Sequence, residues 1–195
     1  MITKTIVILQ GHPDHQEPHL CHALAKHYQT AAEAAGHQVS YIDVGTLDFP
    51  LLTSKAEWET GATPEALLPA QAAILKADHL VIIYPLWLGC MPAKLKGFLE
   101  QILRPSLTKE AGSPVEWRAL FKGCSARVIV TMGMPALFYR LFYRAHGLKL
   151  LCRNILAFSG VAPIRTTVIG MVEKQTDRGL KHLFSKMAKF GTKGI

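Results

Sequence analysis

No apolar run in the 195-residue chain approaches the roughly 20 residues a helix needs to cross a bilayer. The N-terminus enters a strand-like Ile6-Val7-Ile8-Leu9 without an export-signal pattern, so a soluble, cytoplasmic protein is expected. Cysteine is scarce. Cys21, Cys90, Cys124 and Cys152 are scattered with no C-x-x-C pair, which argues for free thiols and against a disulfide frame. Acidic residues are the minority charge, 14 against 22 Lys and Arg, leaving a formal net charge of +8 that favours an anionic partner. The cations, among them Lys94, Lys96, Arg104, Arg127, Arg144 and Arg165, form no basic run and accompany no nucleic-acid motif. Nucleic acid is therefore not expected, and a phosphorylated cofactor satisfies the same field. At this length, with 49% hydrophobic residues, one core is the default, and residues 1–195 are read as a single domain.

What is present is an alternation of strand and helix patterns. Lys4–Gln10 is an apolar run, Gly11-His12-Pro13 a turn, and His19–Ala35 an Ala-rich helix closed by Gly36. His37–Asp43 alternates as a strand, Val44–Thr63 is irregular, and Pro64–Lys76 reads as a helix leading into the strand His79–Tyr84. Pro92–Leu103 is the next helix, followed by a long excursion over Arg104–Gly123 and the strand Arg127–Thr131. Ala136–Phe158 is mostly helical in two pieces broken around His146-Gly147. Ile164–Ile169 supplies a fifth strand and Lys174–Phe190 a closing helix. Five strands separated by helices imply parallel, right-handed crossovers. The expected fold is α/β, a flavodoxin-like three-layer sandwich around a five-stranded parallel sheet of order 2-1-3-4-5.

Ligands of such sheets sit outside the carboxyl ends of the strands, at the switch point between strands one and three. Three loops, Gln10–His19, Pro85–Met91 and Met132–Leu137, converge there. The stretch from Leu80 to Phe98 is the most informative: a doubly buried strand runs into Tyr84-Pro85-Leu86-Trp87-Leu88-Gly89-Cys90-Met91, and Pro92 suits the first turn of the helix beyond. Trp87 is either a flat surface for a planar ring or a plug in the strand–helix corner.

The Gly11-His12-Pro13 opening, the Tyr84–Trp87 to Pro92–Phe98 block and the Thr131-Met132-Gly133-Met134 turn together resemble the flavodoxin-2 family of NAD(P)H:quinone oxidoreductases over residues 4 to about 170. The resemblance implies a non-covalent FMN or FAD, NADPH or NADH as co-substrate, and two-electron ping-pong hydride transfer to a quinone-like acceptor. It also implies a homodimer whose interface completes each site. Carried over residue by residue, Pro85, Leu86, Trp87 and Leu88 match the segment against the isoalloxazine, with backbone amides reaching its polar edge. Thr131, Met132, Gly133 and Met134 match the segment along its other side. Close backbone approach and donors near the atoms that gain negative charge are what a flavin requires. Tyr139 and His146 fall near the Tyr and His that balance charge on the reduced ring in these reductases. Tyr139 also fits an ordinary amphipathic helix position.

Two departures from the family pattern stand out. The first loop offers Asp14-His15-Gln16-Glu17-Pro18-His19-Leu20-Cys21 where relatives carry hydroxyl and amide side chains, so phosphate would rest on the backbone of His19, Leu20 and Cys21 with imidazole donors from His12 or His19. The second is Leu88, Gly89 and Cys90, which make the ring pocket less aromatic than in many relatives. His12, His15, His19 and His22 also invite a metal reading, but no Cys or carboxylate at a ligand spacing completes a set and no metal is expected. A different class of function is an ancillary subunit of a membrane transport system on the same fold. The apolar helix with Phe138, Leu141, Phe142 and Tyr143 is then a docking surface, though a homodimer contact is its more economical use.

Overall fold

Five apolar runs become five parallel strands: β1 (Thr5–Gln10), β2 (Gln38–Asp43), β3 (His79–Pro85), β4 (Ser125–Thr131) and β5 (Ile164–Ile169). Their order is β2-β1-β3-β4-β5. The structure is a computed structural model that describes residues 2–105, 107 and 120–195. Most of the Arg104–Gly123 excursion, at 106 and 108–119, lies outside the described residues. Among the described residues no helix is long and apolar enough to cross a membrane.

The period-two geometry of a strand sends alternate residues to opposite faces. Ile6, Ile8, Val81, Ile83 and Ile129 point to one side, where Leu24, Ala25 and Tyr28 of α1 (Leu20–Ala34) and Met187 of the closing helix cover them. Val7, Leu9, Leu80, Ile82, Val128 and Val130 point to the other. There they meet Ile74 of α3 (Leu68–Leu75), Leu95 and Phe98 of α4 (Ala93–Ile102), and Leu151 of a π-helical segment, Leu150–Ala157. Each fully buried Leu or Phe of this kind contributes about 1.5–3 kcal/mol of burial. All seven residues of β3 are buried, as an apolar run covered on both faces requires.

The remaining helices are α2 (Lys55–Thr60), α5 (Ala136–Leu141), α6 (His146–Lys149), which runs into the π-helical segment, and α7 (Asp177–Lys193). Two sequence expectations are corrected here. Val44–Thr63 is not wholly irregular, because α2 forms inside it with the Ser54 hydroxyl accepting from the Glu57 amide at 3.1 Å. No α2 residue is buried, so it carries no apolar period to detect. The break in Ala136–Phe158 falls earlier than His146-Gly147. Arg144 and Ala145 both take left-handed φ angles of 50°, and the Ala145 amide folds back to the Tyr139 carbonyl at 3.1 Å.

At the amino-terminal edge of the sheet, His79 is completely buried. Its Nδ1 lies 2.8 Å from the Ser125 hydroxyl, and its Nε2 has no partner among the described residues. Burial, reinforced by Lys4, Arg127 and Arg165, pushes its pKa down to about 3. The unfolded chain protonates this ring below about 6.5 while the folded chain does not, so its contribution to stability is present above that pH and is lost as pH falls towards 3. Urea unfolding between about pH 6 and pH 4 is expected to show a loss of about 1.4 kcal/mol per pH unit from this group. His79→Gln, which keeps a donor for Ser125, should flatten that share of the slope, and an unchanged slope would remove the assignment.

Candidate functional site

The carboxyl ends of β1, β3 and β4 open into a crevice of about 300 Å³ at the switch point of the sheet. Its walls come from four loops. His12 follows β1, His19 caps α1 and Leu20 and Cys21 begin it; Pro85 ends β3, with Leu86 and Trp87 after it, and Thr131 ends β4, with Met132 and Gly133 after it. Val172 and Glu173, beyond β5, close the far side.

The Trp87 segment is a two-residue hairpin. The Trp87 amide donates to the Cys90 carbonyl and the Cys90 amide to the Trp87 carbonyl, both at 2.9 Å, with Leu88 and Gly89 at φ 46° and 78°. Two consecutive positive φ angles are the signature of a type I′ turn. Glycine adopts this freely, whereas leucine pays about 1 kcal/mol for it. The turn is seated on α6, where a Cβ added to Gly147 would overlap the Gly89 carbonyl oxygen. Only glycine at 147 permits that approach. Trp87 is thereby presented at the crevice, 48% exposed, with its ring edge-on to His12 at 5.7 Å between centroids. It is therefore not a buried plug in the strand–helix corner.

The histidines of the first loop form a stack. His12 and His19 lie 3.7 Å apart between ring centroids, with planes 20° from parallel, and His22 is 5.8 Å beyond His19. Asp14 Oδ2 lies 2.8 Å from His19 Nε2, and that bond holds the Asp14 carboxyl down at about 2. His22 Nε2 is 3.9 Å from Asp43 Oδ2 and has no hydrogen-bond partner among the described residues. Burial lowers the pKa of His12, with the neighbouring His19 acting in the same direction, and burial likewise lowers that of His22. Among the described residues no group of three or more His, Cys, Asp and Glu side chains is arranged to hold a metal ion.

Below the stack, the Cys21 thiol lies 3.2 Å from the Thr131 hydroxyl, tying the start of α1 to the end of β4. Burial pushes the Cys21 thiol up to about 12, which keeps it protonated and unreactive. On the far wall the Glu173 carboxylate lies against Gly133, whose added Cβ would be 3.0 Å from Oε1. The Met132 amide donates to Ile169 at 2.9 Å, and Val172 donates back to Met132 at 3.2 Å. These two bonds draw the loop after β5 into the crevice.

Several sequence-predicted residues lie elsewhere. Leu88 stands fully exposed at the hairpin tip and Met134 packs on the core, so neither lines the crevice. Tyr139 is buried, with its hydroxyl accepting from the Leu148 amide at 3.2 Å, and His146 is exposed on α6. Neither lines the crevice. The expectation that the amides of the Trp87 segment face a ligand is corrected for Pro85, Leu86 and Trp87, whereas the Leu88 amide has no protein acceptor among the described residues. Pro85 has none, Leu86 donates to the Thr131 carbonyl at 2.8 Å, and Trp87 donates to Cys90. The Gly133 amide and those of Leu20 and Cys21, at the first two positions of α1, have no protein acceptor among the described residues.

An open crevice at the switch point, walled by an aromatic ring, free amides and imidazoles, invites comparison with known proteins. A curated relative from Haemophilus influenzae, an uncharacterised NAD(P)H oxidoreductase, is 24% identical over 173 residues, covering 86% of this chain and 84% of its own. Among solved structures, an NAD(P)H:quinone oxidoreductase from Methanothermobacter marburgensis superposes with a TM-score of 0.77 at 20% identity, covering 98% of this chain and 96% of that one. An FMN-dependent NADH-azoreductase from Bacillus anthracis, solved with FMN, gives 0.71 at 15% identity, covering 96% and 98%. The model of the flavodoxin-2 family, described as a flavodoxin-like fold, matches residues 4–190, and the chain belongs to that family.

Proposed function

We propose that the chain is an FMN-dependent NAD(P)H oxidoreductase that reduces a small planar acceptor of the quinone class. The observation that carries this reading is the crevice itself. An exposed indole, edge-on to the His12–His19 stack, lines it together with the Gly133, Leu20 and Cys21 amides, which have no protein acceptor among the described residues. That combination of surfaces fits a flat ring joined to a phosphate. The comparisons add that relatives of this shape include an FMN-dependent NADH-azoreductase and an NAD(P)H:quinone oxidoreductase.

When bound, FMN supplies the redox chemistry, accepting a hydride equivalent from reduced nicotinamide and passing two electrons to the acceptor. The residues of the chain bind and orient. Trp87 offers its face to an aromatic system, and the I′ turn seated on Gly147 holds it there without a long, flexible loop. The Gly133 amide is a fixed donor for charge gathering at the polar edge of a ring. The first-turn amides of α1 and the adjoining imidazoles meet the phosphate. Glu173 is the one carboxylate among the residues lining the crevice. Beside Gly133 it opposes excess negative charge at that wall and accepts from hydroxyl donors. Tyr139 is assigned a positioning role, since its hydroxyl holds the Leu148 amide of α6 and so supports the seat of the hairpin.

We further propose a homodimer. Leu137, Phe138, Leu141 and Phe142 form an exposed apolar ridge on and just beyond α5, with Phe138 and Phe142 stacked at 4.9 Å, and Leu141 is 70% exposed. A ridge of this kind is the usual mark of a protein contact. No observation among the described residues favours the transporter-subunit alternative.

Two outcomes test this. Trp87→Ala should weaken FMN binding by about tenfold, read from quenching of flavin fluorescence, with the circular dichroism of the fold unchanged; unaltered affinity would remove Trp87 from the site. Phe142→Asp should convert a dimer to a monomer in sedimentation, and a wild-type chain that sediments as a monomer would refute the homodimer.

A further inference from the structure

His12 is the one imidazole of the stack that is more than nine-tenths buried, at 8% exposure, and it still lines the crevice. Its Nδ1 is held between two groups of one residue, the Asp14 amide at 3.2 Å and the Asp14 carbonyl at 3.1 Å. The neutral ring accepts from the amide, and the protonated ring donates to the carbonyl. Neither change requires the ring to turn. Nε2 has no protein partner among the described residues, so it can present an N–H to the crevice in both states.

The surroundings make the charged state conditional. His19 stacks directly on His12 and His22 lies 5.7 Å away, so a proton on one ring is opposed by a proton on the next. The first loop contributes Asp14, bonded to His19, together with His15. Asp43 at the end of β2 faces His22, Lys94 of α4 is tied to the Gly45 carbonyl, Trp87 brings no charge, and Glu173 stands on the opposite wall. A dianion brought to Nε2 removes the penalty for charging the stack, because it supplies the missing counter-charge and an acceptor together.

Resting on the flavin reading above, we infer that this chain grips the phosphate of its cofactor through a proton taken up by His12. Loss of that proton loosens the phosphomonoester end of the ligand and leaves the ring end untouched. The titration of the His12 ring makes cofactor retention sensitive to pH across the neutral range. The sign follows from linkage. The site binds more protons with the anion than without it, so affinity falls as pH rises. A phosphate monoester has a second pKa of about 6. Above about pH 6.5 it is therefore mostly dianionic, and the remaining titration belongs to the protein.

The test compares FMN with riboflavin, which carries the same ring and no phosphate, by fluorescence quenching from pH 6.5 to pH 8. The Kd of FMN is expected to rise by about tenfold over this span, approaching a tenfold change per pH unit per proton taken up. The Kd of riboflavin should stay flat. His12→Gln, which keeps a neutral N–H donor but cannot take up the proton, should flatten the FMN profile towards that of riboflavin. Independently of any variant, calorimetry at pH 7 in buffers of different ionisation enthalpy should find proton uptake on binding FMN and none on binding riboflavin. FMN and riboflavin profiles that run parallel, or no proton uptake, would overturn the inference while sparing the flavin reading. Failure to bind either ligand at any pH would overturn both.

Discussion

The parallel hydrogen-bonded ladder joining β1, β3 and β4 is the constraint on which the rest depends. A parallel strand must return to the same edge before it pairs, so every strand delivers its following loop to one end of the sheet. The registers Gln10↔Ile83 and Pro85↔Thr131 bring the ends of these three strands level. From that alignment follow the meeting of His12, Trp87 and Gly133 around one crevice and the reach of the Cys21 thiol to Thr131. Each strand is anchored on both faces by separate apolar clusters, so the ends cannot shift without unpacking one of two cores.

On this rigid edge, two turns at positive φ support each other. Leu88 and Gly89 turn the chain back within two residues, and Arg144 and Ala145 turn α5 away from α6, all four at positive φ. The two turns meet where Gly147 takes the Gly89 carbonyl against its backbone. Strained backbone persists when packing over-determines it, and here it holds an indole half-exposed at a crevice. The reverse of the same hairpin leaves Leu88 in solvent.

How much of this was legible in the residues depended on the length scale of the signal. The strands and their order followed from uninterrupted apolar runs such as Leu80–Ile83, and the first three crevice loops followed from the rule for parallel sheets. The family resemblance drew attention to Trp87 and Thr131–Gly133, which the structure brings to one wall. What stayed hidden was set by single hydrogen bonds. Nothing in Val172-Glu173 indicates that the Met132 and Val172 backbones pair and carry a carboxylate into the site. Nor does Leu86-Trp87 reveal that both amides are already used. Helix α2 was invisible because it buries nothing, and the break before α6 because neither Arg144 nor Ala145 is a residue that favours the left-handed region.

The central claim is that one crevice holds a flavin and admits reduced nicotinamide to it. Its most direct measurement is an anaerobic titration of FMN-reconstituted protein with NADH and NADPH, following the visible absorbance of the flavin. The account predicts that one of the two abolishes the colour at about one equivalent and that a quinone then restores it. Protein that retains no FMN, or that keeps its colour through excess of both nucleotides, would contradict it.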